Sequence, residues 1–315
     1  MLITYSADQV HEALEWAPLA SALAAAFAAG ADVPLRHSHT LPDVGHGQGT
    51  LLLMPASNAQ ALGLKVVTFM PGAAALGATT VGATYLLLDR DTGSLRALLD
   101  GDALTVRRTA AVSALAARYL ARTDARTLLL VGTGHLAPWL ARAHYALRPS
   151  LSRVLVWGRR TERAEALALA LNDEGLPADH VTDLEAATAQ ADIVSCATTA
   201  TEPLVRGAWL APGAHLDLVG GFTPAMREAD DDAVARSRIV VDQYDGALAE
   251  AGDLVQPLER GVIARTQIVA DLAALVRGDV AGRTSDSEIT LFKSVGTALA
   301  DLAAAALVTA SPTAR

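Results

Sequence analysis

The segment 128–137, LLLVGTGHLA, contains the residues whose types and spacing most clearly indicate chemistry. Four apolar residues, typical of a central parallel strand, lead directly into a Gly-x-Gly turn. Gly132 can form the tight turn, Gly134 lets a phosphate approach the backbone, and Ala137 lets the next helix pack closely. The free N–H groups at the start of that helix would face an anion. The segment therefore predicts a site for the diphosphate of a dinucleotide.

The residues that follow complete a βαβ unit. A helical pattern at 136–147 leads to a second apolar run at 153–157, and this context favours a dinucleotide site over an ordinary glycine turn. NAD-binding units carry an acidic residue after the second strand, but this chain has Gly158, Arg159 and Arg160. A guanidinium can bind the 2′-phosphate that a carboxylate would repel. The sequence therefore predicts NADPH, with NADH as the second choice. The alternative is that both arginines are solvated charges at the start of a helix, where cations oppose the helix dipole.

Length, charge and cysteine content exclude several classes of protein. The 315 residues suffice for two domains, and the net charge of −9 argues against a nucleic acid or an anionic membrane as partner. The apolar stretch 19–29 is too short to span a bilayer, and acidic residues interrupt any signal-peptide pattern at the N-terminus. The single cysteine excludes an internal disulfide and a Cys-based zinc site. We expect a cytoplasmic protein without a metal site.

The pattern of predicted elements changes along the chain. After two helices, the first third has a segment at 33–40 that alternates and then turns polar. Apolar runs at 50–55, 64–70 and 84–89 and a hairpin turn at 91–93 follow it, and together they predict an antiparallel sheet. From residue 127 onward, strands alternate with helices, as in a doubly wound parallel sheet. The predicted strands are 127–131, 153–157, 193–197, 215–219 and 239–241, followed by a strand or loop at 287–294 and a helix at 296–307.

Three cations of the first third lie in apolar or small-residue surroundings: Arg36, Lys65 and Arg108. A lysine within an apolar strand is costly to bury unless it meets an anion. The three side chains could converge on a substrate carboxylate, and Lys65, among cations, would then have a lowered pKa and could supply or relay a proton. The alternative for each is a surface side chain that extends its charge into water.

Short motifs extend over almost the whole chain: LMP at 53–55, GLKVV at 63–67, LT at 104–105, RTAA at 108–111, GTG at 132–134, ATEP at 200–203, PGAH at 212–215, MRE at 226–228 and FKSVG at 292–296. Together they resemble the ornithine cyclodeaminase/mu-crystallin family. The resemblance implies a homodimer with an α/β fold, in which a Rossmann domain with a doubly wound parallel sheet, residues 116–295, is inserted in an α+β domain. That domain, 1–115 with 296–315, would serve substrate binding and dimerisation.

The resemblance also implies roles for particular residues. Arg36, Lys65 and Arg108 would hold the substrate carboxylate next to the nicotinamide and are the candidate catalytic residues. The candidate cofactor-binding residues are Thr80, Thr84, Thr109, Gly132, Thr133, Gly134, His135, Leu136, Arg159, Arg160, Thr198, Val219 and Ser294.

Departures from the family pattern indicate which reaction to expect. Cyclodeaminases carry an aspartate and a glutamate at positions that align with Phe222 and Leu52, and neither of these residues can accept a proton. The stretch GGFTPAMREAD at 220–230 is instead similar to the Δ1-pyrroline-2-carboxylate reductases, and Trp157-Gly158-Arg159 resembles mu-crystallin, a ketimine reductase. The resemblance implies NAD(P)H-dependent reduction of a cyclic imino acid, Δ1-pyrroline-2-carboxylate to L-proline, and of Δ1-piperideine-2-carboxylate to L-pipecolate. The alternatives are an alanine-type amino-acid dehydrogenase, an ornithine cyclodeaminase and a mu-crystallin-like binding protein.

Overall fold

A computed structural model describes residues 2–45 and 47–311 of the chain. The chain forms two compact units, Met1–Thr109 with Thr297–Arg315 (unit 1) and Ala110–Gly296 (unit 2). The first boundary lies a few residues before the expected one, within the same helix. Residues 312–315 of the expected domain range lie outside the described residues.

Unit 1 is built on a six-stranded sheet of order β1-β6-β5-β4-β3-β2. Strands β2 to β6 are antiparallel, as the sequence predicted, whereas β1 pairs in parallel with β6. Strand β1, which has only three residues, was not predicted, and of the β5–β6 hairpin the sequence predicted β5 and the turn but not the bounds of β6. The strands are β1 Ile3–Tyr5, β2 His37–Leu41, β3 Gly49–Ser57, β4 Ala61–Phe69, β5 Val81–Asp89 and β6 Leu95–Asp100.

Helices cover one face of this sheet. Ser6 and Gln9 exchange hydrogen bonds in a capping box at the start of α1 Ala7–Ala13. Helices α2 Trp16–Ala29 and α11 Ala298–Ala310 pack against each other, and α11 also contacts β3, β4 and β5. Helix α2 buries Leu19, Ala20, Leu23 and Phe27 along one stripe. A 3₁₀ helix, Pro71–Leu76, connects β4 to β5.

Helix α3, Gly101–Leu120, follows β6 directly. The Asp100 carboxylate accepts a hydrogen bond from the Ala103 N–H at 2.8 Å and so satisfies a donor of the first turn. A Cβ at Gly101 would lie 2.5 Å from the carbonyl carbon of Ala83, and only glycine allows this close approach of helix to strand.

Unit 2 contains an eight-stranded parallel sheet of order β13-β12-β14-β11-β10-β7-β8-β9. Its central strands are apolar and buried, with Leu128 to Val131 at most 1% exposed. The predicted α/β class with a doubly wound parallel sheet is confirmed. The short strands β9 and β13 were missed. The strands are β7 Thr127–Val131, β8 Arg153–Trp157, β9 Ala178–His180, β10 Ile193–Cys196, β11 His215–Leu218, β12 Ser237–Val241, β13 Ile268–Asp271 and β14 Ile289–Lys293.

The helices of unit 2 connect these parallel strands. They are α4 Ala137–Leu147, α5 Thr161–Asp173, α6 Leu184–Gln190, α7 Asp231–Ala235, α8 Tyr244–Glu250, α9 Gly252–Glu259 and α10 Leu272–Arg277. Because the strands are parallel, the loops after β7, β8, β10 and β11 leave the sheet at one edge, where α/β proteins bind ligands. Across the described ranges, every helix is too short or too polar to cross a bilayer.

Candidate active site

A groove lies at the carboxyl edge of the parallel sheet of unit 2. Its volume is about 410 Å³, and the loops after β7, β8 and β10 line it. The lining residues are Gly132, Thr133, Gly134, Trp157, Gly158, Arg159, Arg160, Arg163, Ala197, Thr198, Thr199, Ala200, Thr201, Glu202 and Leu204.

The glycines of the groove have distinct reasons to lack a side chain. Gly132 has a φ of 121°, and a Cβ there would lie 2.6 Å from the Ala197 carbonyl oxygen. A Cβ at Gly158 would lie 2.7 Å from the Thr133 methyl group. At Gly134, by contrast, a Cβ would meet nothing within 4 Å, so its absence leaves the backbone open to a ligand. The turn thus has the shape that a dinucleotide diphosphate requires.

The second strand of the βαβ unit ends in a cluster of arginines. Arg159 and Arg160 follow β8, and Arg163 lies in the first turn of α5; all three are exposed. Among the described residues, 2–45 and 47–311, no acidic side chain forms an ion pair with any of these three arginines. This end of the groove therefore presents positive charge that a phosphate could neutralise.

Six of the thirteen predicted cofactor-binding residues line this groove: Gly132, Thr133, Gly134, Arg159, Arg160 and Thr198. His135 is exposed on the same turn, and Leu136 is the N-cap residue of α4. Val219 is buried directly after β11. The Ser294 hydroxyl is also buried and donates a hydrogen bond to the Asp242 carboxylate at 2.8 Å. Thr80, Thr84 and Thr109 belong to unit 1 and are not part of the groove.

Unit 1 contains a buried cluster of charges formed by β4, α3 and α11. The Lys65 Nζ lies 2.8 Å from Asp301 Oδ2, and the Arg108 Nε donates to Asp301 Oδ1 at 2.7 Å. All three residues are at most 5% exposed. Two cations share one carboxylate, so the cluster carries a net positive charge inside unit 1.

The pKa values of the cluster follow from burial and charge. Burial, together with the charge of Arg108, lowers the pKa of Lys65 to about 8, although Asp301 opposes this shift. Arg36, which precedes β2, lowers it further through its own charge. Burial alone would raise the pKa of Asp301, but Arg108 and Lys65 hold it below its usual value. The lowered pKa expected for Lys65 is present, and a proton on Nζ is therefore more easily released than in water.

Asp301 is the residue of this site that the sequence analysis missed. The three predicted cations were expected to converge on a substrate carboxylate, but Lys65 and Arg108 first meet this carboxylate of the protein. The available signal was the composition of α11, ALADLAAAALVTA, in which Asp301 is the single charged residue. An acid in an otherwise apolar helix is costly to bury unless a cation pairs with it.

Gly63 makes room for an aromatic side chain beside Lys65. Tyr85 lies opposite Lys65 in the register of β4 and β5 and is only 1% exposed. A Cβ at Gly63 would lie 1.8 Å from the Tyr85 hydroxyl oxygen. Burial raises the pKa of Tyr85, and the negative charge of Asp301 adds to this effect. The absence of a side chain at Gly63 thus leaves room for a buried, neutral tyrosine beside Lys65.

The part of the chain that the structure describes contains no group of three or more side chains suited to hold a metal ion. The geometry thus offers an open glycine turn with a cationic end in unit 2 and a cationic, proton-bearing cluster in unit 1.

Comparisons with known proteins place these features in a family. The family model "Ornithine cyclodeaminase/mu-crystallin family" matches residues 3–314. A Δ1-pyrroline-2-carboxylate reductase of Paracoccus denitrificans is 43% identical over 284 residues, which cover 87% of this chain and 89% of the relative.

Two solved structures are similar over nearly the whole chain. The Δ1-pyrroline-2-carboxylate reductase of Thermococcus litoralis, in complex with NADH and L-proline, has a TM-score of 0.90 and 34% identity, and the match covers 97% of this chain and 96% of that protein. An archaeal alanine dehydrogenase dimer with bound NAD has a TM-score of 0.89 and 28% identity, covering 98% and 94%.

Proposed function

The chain belongs to the ornithine cyclodeaminase/mu-crystallin family, and we propose that it reduces the C=N bond of a cyclic imino acid with NAD(P)H. The proposed substrates are Δ1-pyrroline-2-carboxylate, which gives L-proline, and Δ1-piperideine-2-carboxylate, which gives L-pipecolate. The observation that carries this proposal is the buried Lys65–Asp301–Arg108 cluster, because it supplies both a net positive charge and a lysine of lowered pKa. The similarity to named reductases of this substrate supports the same reaction.

The positive charge of the cluster suits the substrate carboxylate. Arg108 uses its Nε for Asp301, so its terminal nitrogens can donate two parallel hydrogen bonds to a carboxylate. Arg36 adds a second cation whose charge acts at the same place, as its effect on the pKa of Lys65 indicates. Fixing the carboxylate at two points would orient the ring. Such positioning can contribute several kcal/mol to catalysis.

Lys65 is the proposed proton donor. Reduction of the imine adds a hydride to the ring carbon and a proton to the ring nitrogen, which gives a secondary amine. The nicotinamide supplies the hydride when it is bound. Lys65 would release its proton from Nζ to the ring nitrogen and regain one from water, while the ion pair with Asp301 keeps the amine in place.

We propose NADPH as the preferred cofactor. Arg159 and Arg160 stand where an acidic residue would bind the ribose hydroxyls of NAD, and Arg163 adds a third cation. The two similar solved structures contain NADH and NAD, so binding of the unphosphorylated cofactor is the alternative.

A homodimer is proposed for the whole molecule. Four apolar side chains between the end of β4 and the start of β5 are between 38% and 65% exposed: Phe69, Met70, Leu76 and Val81. Exposed apolar side chains that lie close together in the chain favour burial against a partner. The similar alanine dehydrogenase is a dimer, which supports a second copy of this chain as that partner.

The alternative activities predict different products. An ornithine cyclodeaminase needs a base to accept a proton from the side-chain amine, and the aligned positions here hold Leu52, within β3, and Phe222, which is 44% exposed. An alanine-type dehydrogenase would act on a 2-oxo acid with ammonia. A mu-crystallin-like binding protein would bind NADPH without turnover.

One substrate panel separates these functions. The purified protein is incubated with NADPH or NADH and each cyclic imine, and with pyruvate plus ammonia, while nicotinamide absorbance is followed. In parallel, L-ornithine with catalytic NAD+ is assayed for ammonia. We expect turnover of the cyclic imines and no ammonia from ornithine. Faster reduction with pyruvate plus ammonia, ammonia release from ornithine at a comparable rate, or binding without turnover would each contradict the proposal in favour of one alternative.

A further inference from the structure

A buried carboxylate connects two loops at the carboxyl edge of the parallel sheet in unit 2. Glu228 is fully buried, and its Oε1 accepts hydrogen bonds from the Thr198 N–H at 2.6 Å and the Thr198 hydroxyl at 2.8 Å. Its Oε2 accepts from the N–H groups of Gly220 at 2.8 Å and Gly221 at 3.3 Å. One side chain thus holds the loop after β10, which lines the groove, and the loop after β11.

Neither glycine of the loop after β11 has room for a side chain, and at Gly220 the obstacle is the loop after β10. A Cβ at Gly220 would lie 2.1 Å from the Thr198 carbonyl oxygen, and one at Gly221 would lie 2.5 Å from Asp253 Oδ2. The Thr198 backbone therefore has its position set by Gly220 on one side and by Glu228 on the other. Since Thr198 lines the groove, the groove wall depends on this contact.

In all four of these hydrogen bonds Glu228 is the acceptor. The position therefore requires an ionised carboxylate, whose two oxygens only accept. A protonated carboxyl would direct an O–H toward one of these donors and lose a hydrogen bond. We propose that ionised Glu228 is a positioning residue of the cofactor groove, and that loss of its charge weakens dinucleotide binding. This inference rests on the proposed function, because it takes the groove as the dinucleotide site.

The charges around Glu228 make its ionisation sensitive to pH. The Lys293 Nζ donates to Asp253 Oδ2 at 3.0 Å, and Asp253 Oδ1 accepts from the Glu228 and Ala229 N–H groups, so the buried set of two acids and one lysine is net negative. Burial raises the pKa of Glu228 to about 7; Lys293 opposes this and Asp253 adds to it. The Cys196 thiol also faces the group, but burial and these acids raise its pKa, so it remains neutral.

This pKa predicts the direction in which cofactor affinity changes with pH. Well above about pH 7 the carboxylate is ionised and holds both loops, whereas below about pH 7 it gains a proton and loses the hydrogen bond from one donor. The Kd for the cofactor should therefore rise as the pH falls through about 7. NADH is the probe of choice, because the 2′-phosphate of NADPH has its own ionisation at about pH 6.

The test is calorimetric titration of NADH into the full-length protein from about pH 6 to about pH 8.5. Glu228→Gln keeps the size of the side chain but leaves one oxygen as an acceptor and turns its amide N–H groups toward the other donors. We expect its Kd to exceed that of the wild type about tenfold at the high end of this range and to be independent of pH. Glu259→Gln, the same exchange at an exposed position of α9, should behave like the wild type.

Each outcome decides between the alternatives. A wild-type Kd that does not change with pH, or a Glu228→Gln profile parallel to that of the wild type, would overturn the inference and leave the proposed function intact. If Glu228→Gln fails to fold, Glu228→Asp replaces it and should bind more weakly but keep the pH dependence. Failure of the wild type to bind NADH or NADPH at any pH would overturn the proposed function as well.

Discussion

At the scale of single residues, the buried charges of unit 1 determine the pH range of the proposed reaction. Lys65 must carry a proton in order to donate it, and burial lowers its pKa to about 8. Asp301 opposes this shift, whereas Arg108 and Arg36 add to it. The carboxylate thus keeps Lys65 protonated near neutral pH, although two neighbouring cations favour the neutral amine.

We expect kcat/KM for the cyclic imine to fall as the pH rises above about 8, because Lys65 loses its proton there. In Asp301→Asn the charge that raises the pKa of Lys65 is absent, so the falling limb should move to lower pH by about one unit or more. The measurement is a pH–rate profile of both proteins. Asp173→Asn, at the exposed end of α5, is the matched control. A limb at the same pH in Asp301→Asn would show that Lys65 is not the donor.

Arg159 should distinguish the two cofactors. In Arg159→Ala, KM for NADPH should rise by about tenfold or more, because a charge-assisted hydrogen bond to the 2′-phosphate is lost. KM for NADH should change little. Arg126→Ala removes an exposed arginine just before β7, at the opposite end of the strand from the groove, and should affect neither cofactor. Equal losses with NADPH and NADH would contradict the assignment of Arg159.

At the scale of elements, the packing of β4 against β5 depends on the absence of a side chain at Gly63. Strand β4 carries Lys65 on the same face, and the Tyr85 ring of β5 lies across Gly63. Helix α11 covers this face and brings Asp301 to Lys65. The position of the ion cluster is therefore set by strand packing and not by the local sequence of any one strand.

Gly63→Ala should lower the free energy of unfolding by about 1–3 kcal/mol, because the new methyl group overlaps the Tyr85 hydroxyl in a closely packed core. Thermal denaturation measures the effect as a lower Tm. Gly82→Ala is the control within the same sheet, since its Cβ would have Thr68 Oγ1 at 3.3 Å as its nearest neighbour. Equal Tm values for the two variants would mean that Tyr85 moves aside at little cost.

At the scale of the whole molecule, the exposed apolar side chains of unit 1 predict self-association. Light scattering should give a mass about twice the 32.6 kDa of one chain at micromolar concentration. Phe69→Lys combined with Val81→Lys places two charges on paired positions of β4 and β5 and should yield monomers. Leu169→Lys alters a similarly exposed apolar residue on α5 of unit 2 and should leave the dimer intact. A monomeric wild-type protein would contradict the homodimer.

The sequence by itself determined the features that depend on neighbouring residues. The Gly-x-Gly turn at 132–134, the strands β7 and β8 and the hairpin before β6 follow from glycine conformation and apolar periodicity, and the structure has each of them. Short strands such as β1 and β9 carry too few residues to show a period, so only pairing with a neighbour defines them.

The tertiary structure decided which charges meet. Asp301 and Arg108 are 193 residues apart, and Glu228 and Thr198 are 30 apart, so no local pattern relates the members of either pair. Burial makes a partner necessary for each charge, but the fold selects the partner, because only packed elements bring distant side chains within hydrogen-bond distance. The sequence therefore indicated Lys65 and Arg108 as cations that need an anion, and only the packing of α11 on the sheet identified that anion as Asp301.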